Sequence, residues 1–181
     1  MIFEKTNLDK CFVITPKEIK DERGGFMRVF CENIFKDQGC EMKFVQINHS
    51  FNFKKGTLRG MHFQYFTSSE SKLVRCIKGS IFDVVVDLRK NSKTFLKHFY
   101  VELSESNKKM ILIPEGFAHG FQTLTDNTEV IYHHSNFYNP EFEGGIRFDD
   151  IKLGVNWPLI VSEISDRDRK HQPLDNNFIG I

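Results

Sequence analysis

Alanine is almost absent from this sequence, because its 181 residues contain only one, Ala118. Since alanine is the best helix former, its scarcity argues against a helical bundle. No apolar run reaches the roughly 18 residues that a bilayer-spanning helix needs, so we expect no membrane contact. The first ten residues carry charges and lack the apolar stretch of a signal peptide, so we expect no export.

Neither sign of charge dominates, because 25 basic and 24 acidic residues leave a formal net charge of +1. Such a balance provides no overall field for gripping nucleic acid or an anionic membrane, and we expect neither as a partner. The four cysteines are scattered and form no Cys-x-x-Cys pair. They predict reduced thiols in a cytoplasmic protein and argue against a cysteine-based zinc site.

Phenylalanine is abundant, with 19 copies, and with valine and isoleucine it favours β-structure. Glycine and proline separate short apolar runs in the manner of a β-sandwich or barrel. We find no repeat or linker, so the sequence predicts one all-β domain over residues 1–181. The predicted strands cover residues 11–15, 26–31, 43–49, 57–64, 72–77, 80–88, 94–103, 110–113, 120–124 and 129–134, with a short helix at 32–39. Beyond Pro158 we expect a polar, irregular tail that Trp157 docks onto the body.

The clearest strand, residues 80–88, is at least half apolar on both faces. Phe82, Val84 and Val86 alternate with Ile81 and Val85. Because successive side chains of a strand point to opposite faces, both faces of this strand are predicted to be covered. We expect a second sheet on one side and a partner outside the fold on the other.

Two glycine-flanked stretches hold candidate chemistry: residues 55–64, with His62, and residues 113–121, with His119. They resemble the two motifs of the cupin superfamily, whose histidines commonly bind a metal. Gln64 stands where the first motif has its second histidine, and Glu70 lies one residue beyond the expected carboxylate position. A transition metal needs three or four converging ligands, so we expect no metal and no cofactor. A metal-dependent dioxygenase or isomerase is the alternative.

The ordered motifs resemble more specifically the dTDP-4-dehydrorhamnose 3,5-epimerase family. They include Asp21-Glu-Arg-Gly24, Gln46-Ile-Asn-His-Ser50, Gly56-Thr-Leu-Arg-Gly-Met-His-Phe-Gln64, Lys72-Leu-Val-Arg75, Phe82-Asp-Val-Val-Val-Asp-Leu-Arg89, Pro114-Glu-Gly-Phe-Ala-His-Gly-Phe121, Tyr138-Asn-Pro140, Trp157-Pro158 and Ser165-Asp-Arg-Asp168. The resemblance implies a cupin-type jelly roll. It also implies inversion at C3, C5 or both of a nucleotide-linked 4-keto-6-deoxyhexose, in deoxysugar or polysaccharide synthesis.

By this resemblance His62 is the base that removes the proton beside the ketone, and Asp168 orients it. Lys72 stabilises the enolate oxygen, and Tyr132 returns a proton on the opposite face. The residues expected to hold the substrate are Arg23, Phe26, Arg28, Gln46, Ile47, Asn48, Arg59, His119, Tyr138, Glu143 and Arg167. The resemblance also implies a homodimer in which the N-terminal strands of one subunit cross the other.

Arg28 departs from the family pattern, which has a glutamate at this position. An arginine only donates hydrogen bonds, so it suits cytosine, whose N3 and O2 both accept. The nucleotide could therefore be CDP in place of dTDP, or Arg28 could turn outward or meet a phosphate. A sugar 3,4-ketoisomerase and a non-catalytic ligand-binding cupin are the remaining alternatives.

Overall fold

Two antiparallel sheets facing each other dominate the computed structural model, which describes residues 1–181. The fourteen strands are β1 (Ile2–Lys5), β2 (Phe12–Thr15), β3 (Glu18–Asp21), β4 (Gly24–Met27), β5 (Gln46–Asn52), β6 (Thr57–Gln64), β7 (Lys72–Lys78), β8 (Ser80–Asp87), β9 (His98–Ser104), β10 (Met110–Ile113), β11 (Phe117–Thr123), β12 (Thr128–His134), β13 (Glu143–Gly145) and β14 (Glu163–Ile164). The helices are α1 (Glu32–Asp37) and α2 (Asp166–Lys170). Neither helix has the length and apolarity to cross a membrane.

The first sheet has the order β1-β2-β10-β7-β12-β5, and the second has the order β13-β6-β11-β8-β9. The short β14 pairs in parallel with β6, and β3 and β4 form a separate hairpin. The predicted all-β sandwich is confirmed, and the two sheets do not close into a barrel. The main core fills the space between them, where Val74 and Ile111 of the first sheet meet Val85 and Phe121 of the second.

One expectation about strand β8 is wrong. Its inner face does pack against the first sheet through Ile81 and Val85. Its outer face, with Val84 and Val86, is covered by the chain's own C-terminal segment and not by a partner. The covering side chains include Ile146, Leu153, Trp157, Leu174, Phe178 and Ile181.

The predicted strands differ from the observed ones in two ways: short, mostly polar strands were missed, and some strand ends were misplaced. The prediction of about ten strands missed β1, β3, β13 and β14. The strand predicted at 26–31 is instead Gly24–Met27, and those predicted at 43–49 and 94–103 begin later, at Gln46 and His98. The first part of the last range forms a turn in which the Thr94 hydroxyl donates to Asp87.

The predicted irregular tail is also partly wrong, because it contains β14 and α2. Helix α2 begins at Asp166, with Ser165 as its N-cap: the backbone N–H of Asp168 donates to the Ser165 hydroxyl oxygen at 3.1 Å. The Trp157 indole N–H donates to the Phe148 carbonyl at 2.9 Å and helps to fix the segment, as predicted. The tail therefore returns to strand β6, where it meets the candidate site.

Candidate active site

A cavity of about 280 Å³ opens between the sheets and collects most of the predicted site residues. The first sheet contributes side chains on β5, β7 and β12, and the second contributes side chains on β6 and β11. The lining includes Asn48, Arg59, His62, Lys72, His119, Tyr132, Tyr138, Glu143 and Arg167. Titratable groups that converge on a concave site in this way indicate proton-transfer chemistry.

A larger cavity of about 1010 Å³ lies elsewhere, lined by residues 5–12, 38–40 and 89–94. Its Arg89 guanidinium is already engaged by Asp87 at 2.8 Å and lies 3.8 Å from Asp9. Size alone does not select the functional site, and the smaller cavity has the convergent acid and base groups.

His62 and Asp168 form the tightest pair of the site, with His62 Nε2 2.8 Å from Asp168 Oδ1. The other Asp168 oxygen accepts from the Gly60 backbone N–H at 3.1 Å. Burial alone would raise the pKa of Asp168, but the hydrogen bond and charge of His62 and the Gly60 bond lower it well below its usual range. Asp168 is therefore an ionised carboxylate in contact with the imidazole.

Gly60 allows this close arrangement of strands. Its φ of +124° is a conformation that other residues rarely adopt. A Cβ at this position would lie 2.5 Å from the Cα of Gly120 on β11. The absence of a side chain at Gly60 thus lets β6 and β11 approach each other directly beside His62.

Arg167, Glu143 and Tyr138 surround the pair on its exposed side. The Arg167 guanidinium donates to both Glu143 oxygens, at 2.8 and 3.0 Å, and to Asp168 Oδ1 at 3.1 Å. The Tyr138 hydroxyl donates to Glu143 Oε2 at 3.0 Å. These contacts place one arginine fork at the mouth of the cavity, where it can also meet an anionic ligand.

His119 forms a second histidine–carboxylate pair with Asp83, whose Oδ2 lies 2.9 Å from His119 Nε2. Both side chains are buried, and His119 is the direct cross-strand neighbour of His62. Burial raises the pKa of Asp83, opposed by the charge of His119. His119 is therefore held at the floor of the cavity.

Tyr132 and Lys72 approach from the first sheet. Tyr132 lies with its ring centroid 6.2 Å from that of His119, and its burial raises the phenol pKa far above the ordinary value. Lys72 Nζ lies 3.2 Å from Glu70 Oε1, and the other Glu70 oxygen lies 2.8 Å from His134 Nδ1. A protonated phenol and an ammonium thus face the His62 pair across the cavity.

The predicted nucleotide-holding stretch on β5 is split between the two faces of its sheet. Asn48 lines the cavity, and its side chain accepts from the Gln46 amide at 3.2 Å. Ile47 points the other way and is 63% exposed. Arg59, on β6, donates to Asn52 Oδ1 at 2.7 Å.

Arg23, Phe26 and Arg28 do not join the cavity of their own chain. Arg23 and Phe26 lie on the β3–β4 hairpin and Arg28 directly follows it; Arg23 pairs with Asp21 at 2.5 Å and is largely exposed. Phe26 is 67% exposed, and Arg28 lies near it. Their predicted contact with substrate stays a prediction that requires a second subunit.

His62, Asp168 and His171 offer ligand atoms within 4.8 Å of one another, a spacing that a metal ion could use. The Arg167 guanidinium, however, lies 3.1 Å from both His62 Nε2 and Asp168 Oδ1, so a cation there would meet a fixed positive charge. Gln64, at the altered cupin position, is engaged in backbone contacts: its amide donates to the Ser68 carbonyl at 2.9 Å, and its oxygen accepts from the Asn139 N–H at 2.8 Å. These residues do not form a metal-binding set.

Four side chains near the cavity had been given no site role from the sequence: Glu70, Asp83, His134 and His171. Asp83 could have been found from its position, since a carboxylate on a doubly covered strand needs a partner. The pairing of β12 with β7 brings His134 opposite Lys72. No local sequence signal reveals the register of these two strands. His171 follows α2, a helix that the Ser165-x-x-Asp168 capping pattern could have indicated.

A β-sandwich with histidine–carboxylate pairs, a lysine and a tyrosine around one cavity defines a cupin-fold protein equipped for acid–base catalysis. The family model of dTDP-4-dehydrorhamnose 3,5-epimerase matches residues 5–176. The chain belongs to this family. The match confirms the resemblance found in the motifs and the predicted cupin-type jelly roll.

Individual relatives agree over nearly the whole length. The dTDP-4-dehydrorhamnose 3,5-epimerase of Methanothermobacter thermautotrophicus is 47% identical, with 99% of this chain and 97% of that protein covered. The crystal structure of the Elizabethkingia anophelis enzyme has a TM-score of 0.94 at 38% identity and 98% coverage of both chains. A Legionella pneumophila 3,5-epimerase, solved in complex with dTDP-4-keto-L-rhamnose, has a TM-score of 0.92 at 36% identity, covering 99% of this chain and 97% of that one.

Proposed function

We propose that this epimerase inverts C3 and C5 of a dTDP-linked 4-keto-6-deoxyhexose, without a metal or cofactor, by moving protons through His62 and Tyr132. The observation that carries the proposal is that these side chains line one cavity from facing sheets. A ketone acidifies the neighbouring C–H groups, so one base and one acid on opposite sides suffice for inversion.

His62 acts as the base. The ionised Asp168 only accepts hydrogen bonds, so the 2.8 Å contact requires a proton on His62 Nε2. Nδ1 is then the nitrogen with a free lone pair, and it takes the proton from carbon. Asp168 fixes this tautomer and stabilises the imidazolium that forms, the general role of a carboxylate behind a catalytic histidine.

Lys72 and Tyr132 complete the reaction. The Lys72 ammonium stabilises negative charge on the ketone oxygen as the enolate forms. The raised pKa of Tyr132 keeps the phenol protonated and able to donate to the opposite face of the ring. A single base working on one face would give exchange without inversion.

The proposal is tested by measuring deuterium incorporation into the substrate. dTDP-4-keto-6-deoxyglucose is incubated with enzyme in deuterated water, and C3 and C5 are observed by NMR. We expect exchange and inversion at both carbons. Exchange at one carbon identifies a C3-only or C5-only epimerase, and ketone migration identifies a 3,4-ketoisomerase. No exchange with dTDP- or CDP-linked keto sugars supports a non-catalytic binding protein and overturns the proposal.

We infer that the nucleotide is dTDP, as the ligand of the Legionella pneumophila structure supports. CDP is the second candidate, because the Arg28 guanidinium only donates hydrogen bonds and the N3 and O2 atoms of cytosine both accept them. Arg28 is exposed directly after the hairpin and does not line the cavity of its own chain. Competition binding of dTDP against CDP separates the two, and tighter CDP binding would overturn the choice of dTDP.

We further infer that residues 1–181 act as one domain and that the active unit is a cytoplasmic homodimer. Support for the dimer comes from the hairpin, where Ile19 and Phe26 are more than 60% exposed on one face. A second subunit would cover this face and bring Arg23 and Arg28 toward its cavity. Support for the compartment comes from the four cysteines, all free thiols.

A further inference from the structure

The cavity contains a third histidine–carboxylate pair, Glu70 and His134, that has no part in the mechanism above. Glu70 Oε2 lies 2.8 Å from His134 Nδ1. The two side chains are only 7% and 9% exposed, so water does not screen the contact. Placing an ionisable pair in so dry a position costs free energy of desolvation, and its neighbours indicate what the pair does.

One neighbour is Lys72. Its Nζ lies 3.2 Å from the second oxygen of Glu70, so the carboxylate holds the ammonium with one oxygen and the imidazole with the other. Burial alone would raise the pKa of Glu70, but the His134 hydrogen bond and the Lys72 charge lower it. Glu70 is therefore ionised, and it restrains a lysine that otherwise has four rotatable bonds.

The other neighbour is Asn48. Because the ionised Glu70 only accepts, His134 Nδ1 carries the proton and His134 Nε2 is left to accept. The Asn48 amide nitrogen lies 3.3 Å from that Nε2, and the Asn48 oxygen accepts from Gln46 at 3.2 Å. Gln46 in turn accepts from the backbone N–H of Tyr138 at 3.1 Å. The series therefore links Glu70, His134, Asn48, Gln46 and the Tyr138 N–H through one hydrogen bond at each step.

We propose that Glu70 and His134 are positioning residues that hold Lys72 against the ketone oxygen and Asn48 against the nucleotide. The proposal rests on the proposed function, in which Lys72 stabilises the enolate. A charge displaced by about 1 Å from a developing oxyanion can cost on the order of 100-fold in rate. Glu70 thus acts on the reaction only through Lys72.

A double-mutant cycle tests the Lys72 half. Glu70→Ala is expected to lower kcat for deuterium exchange about 10- to 100-fold while KM changes less than about threefold. In the Lys72→Ala background, Glu70→Ala is expected to have no further effect, because the lysine it positions is gone. A full and independent effect of Glu70→Ala in that background would overturn the proposal.

Glu70→Gln keeps the cycle informative if the alanine variant folds poorly. The amide has the size of the carboxylate, but it has no charge and one accepting oxygen, so it releases Lys72 or His134. We expect a smaller fall in kcat that also disappears in the Lys72→Ala background. An unchanged kcat in Glu70→Gln together with additivity of Glu70→Ala would count against the positioning role.

The chain offers a matched control in Glu129, which also pairs with a histidine and a lysine. Glu129 lies 3.2 Å from His49 Nε2 and 3.3 Å from Lys78 Nζ. Glu129 and Lys78 do not line the cavity, whereas His49 does. Glu129→Ala is expected to lower kcat much less than Glu70→Ala, because its partners are His49 and Lys78 and not Lys72. An equal loss in this variant would assign the Glu70 effect to general stability and overturn the proposal.

The Asn48 half is tested with dTDP alone, which lacks the sugar that Lys72 meets. In calorimetric titration, His134→Ala is expected to bind dTDP about fivefold more weakly, the value of one lost hydrogen bond. In the Asn48→Ala background, His134→Ala is expected to cause no additional loss. Equal affinity in wild type and His134→Ala would overturn this half. Wild-type enzyme without exchange activity would instead contradict the proposed function, so the two failures are distinguishable.

Discussion

His62 Nε2 and Asp168 Oδ1 lie 2.8 Å apart although 106 positions separate the two residues in the chain. Strand β6 supplies the imidazole, and the C-terminal segment supplies the carboxylate through a helix of only five residues. Three contacts fix that carboxylate: the His62 imidazole, the Gly60 N–H and the Arg167 guanidinium. The C-terminal segment is therefore part of the site and not an accessory to it.

His62→Ala should lower exchange at C3 and C5 about 100- to 10,000-fold, because the variant lacks the group that accepts the proton. NMR in deuterated water measures the loss. His98→Gln is the matched control, since His98 Nδ1 contacts the Leu153 carbonyl outside the cavity. Full epimerisation by His62→Ala would remove His62 from the role of base.

Tyr132→Phe should separate the two proton transfers. Removal of the substrate proton by His62 continues, so deuterium enters within about tenfold of the wild-type rate. The opposite face loses its donor, and inversion falls by about 100-fold or more. Deuterium incorporation and product configuration are read from the same NMR sample. Equal losses of exchange and inversion would show that Tyr132 does not act on one face alone.

The proposed contribution of the β3–β4 hairpin to the site of the neighbouring subunit can be tested by mixing two variants. Arg23→Ala and His62→Ala should each impair the enzyme, while a mixture unfolded and refolded together should recover about a quarter of wild-type activity, since half of the random dimers contain one intact site. The recovery depends on Arg23 reaching the neighbouring subunit. If mixing gives no recovery, Arg23 serves its own chain or no site at all.

Asp87 should make stability depend on acid. Burial would raise its pKa, but hydrogen bonds from Arg89, Ser92 and Thr94 lower it from 3.8 to about 2. The resulting stabilisation of about 2 kcal/mol is complete above about pH 4 and is lost as the pH falls toward about 2. Asp87→Asn should cost a similar free energy of unfolding at pH 7 and reduce the slope of the profile between these values, leaving the part that Asp168 supplies.

Denaturant titrations from pH 2 to 7 measure this effect. Asp149→Asn is the control, because Asp149 also pairs with an arginine but is substantially exposed. Its replacement should change the free energy of unfolding by less than about 1 kcal/mol. A wild-type profile as flat as that of Asp87→Asn would show that Asp87 does not supply the acid dependence.

The sequence predicted best those elements whose apolar pattern alone decides the structure. Strands β6 and β10 have the predicted bounds, Thr57–Gln64 and Met110–Ile113, because both are largely buried and end where the chain turns. The edge strand β1 and the hairpin strand β3 are four residues each and mostly exposed, so periodicity gave no signal. Pairing with neighbours, and not local propensity, makes them strands.

The site residues also differ in how far the sequence predicts them. Motifs predicted His62, Lys72, Tyr132 and Asp168, and the fold brings the other three to the same site as His62. The link between Glu70 and His134 could not be predicted, because it depends on the register of β7 against β12. The placement of Arg23 over a cavity depends on a second subunit and lies beyond any single-chain pattern.

Trp157 is the only tryptophan of the chain, and its indole packs against Phe82 on the outer face of the second sheet, with ring centroids 6.1 Å apart. It lies among the C-terminal residues that cover β8 and does not line the cavity. Its intrinsic fluorescence therefore reports when the C-terminal segment detaches from the sheet. Because Trp157 lies outside the cavity, we expect its emission to change much less on binding of nucleotide sugar than on unfolding, so that unfolding can be followed in saturating ligand.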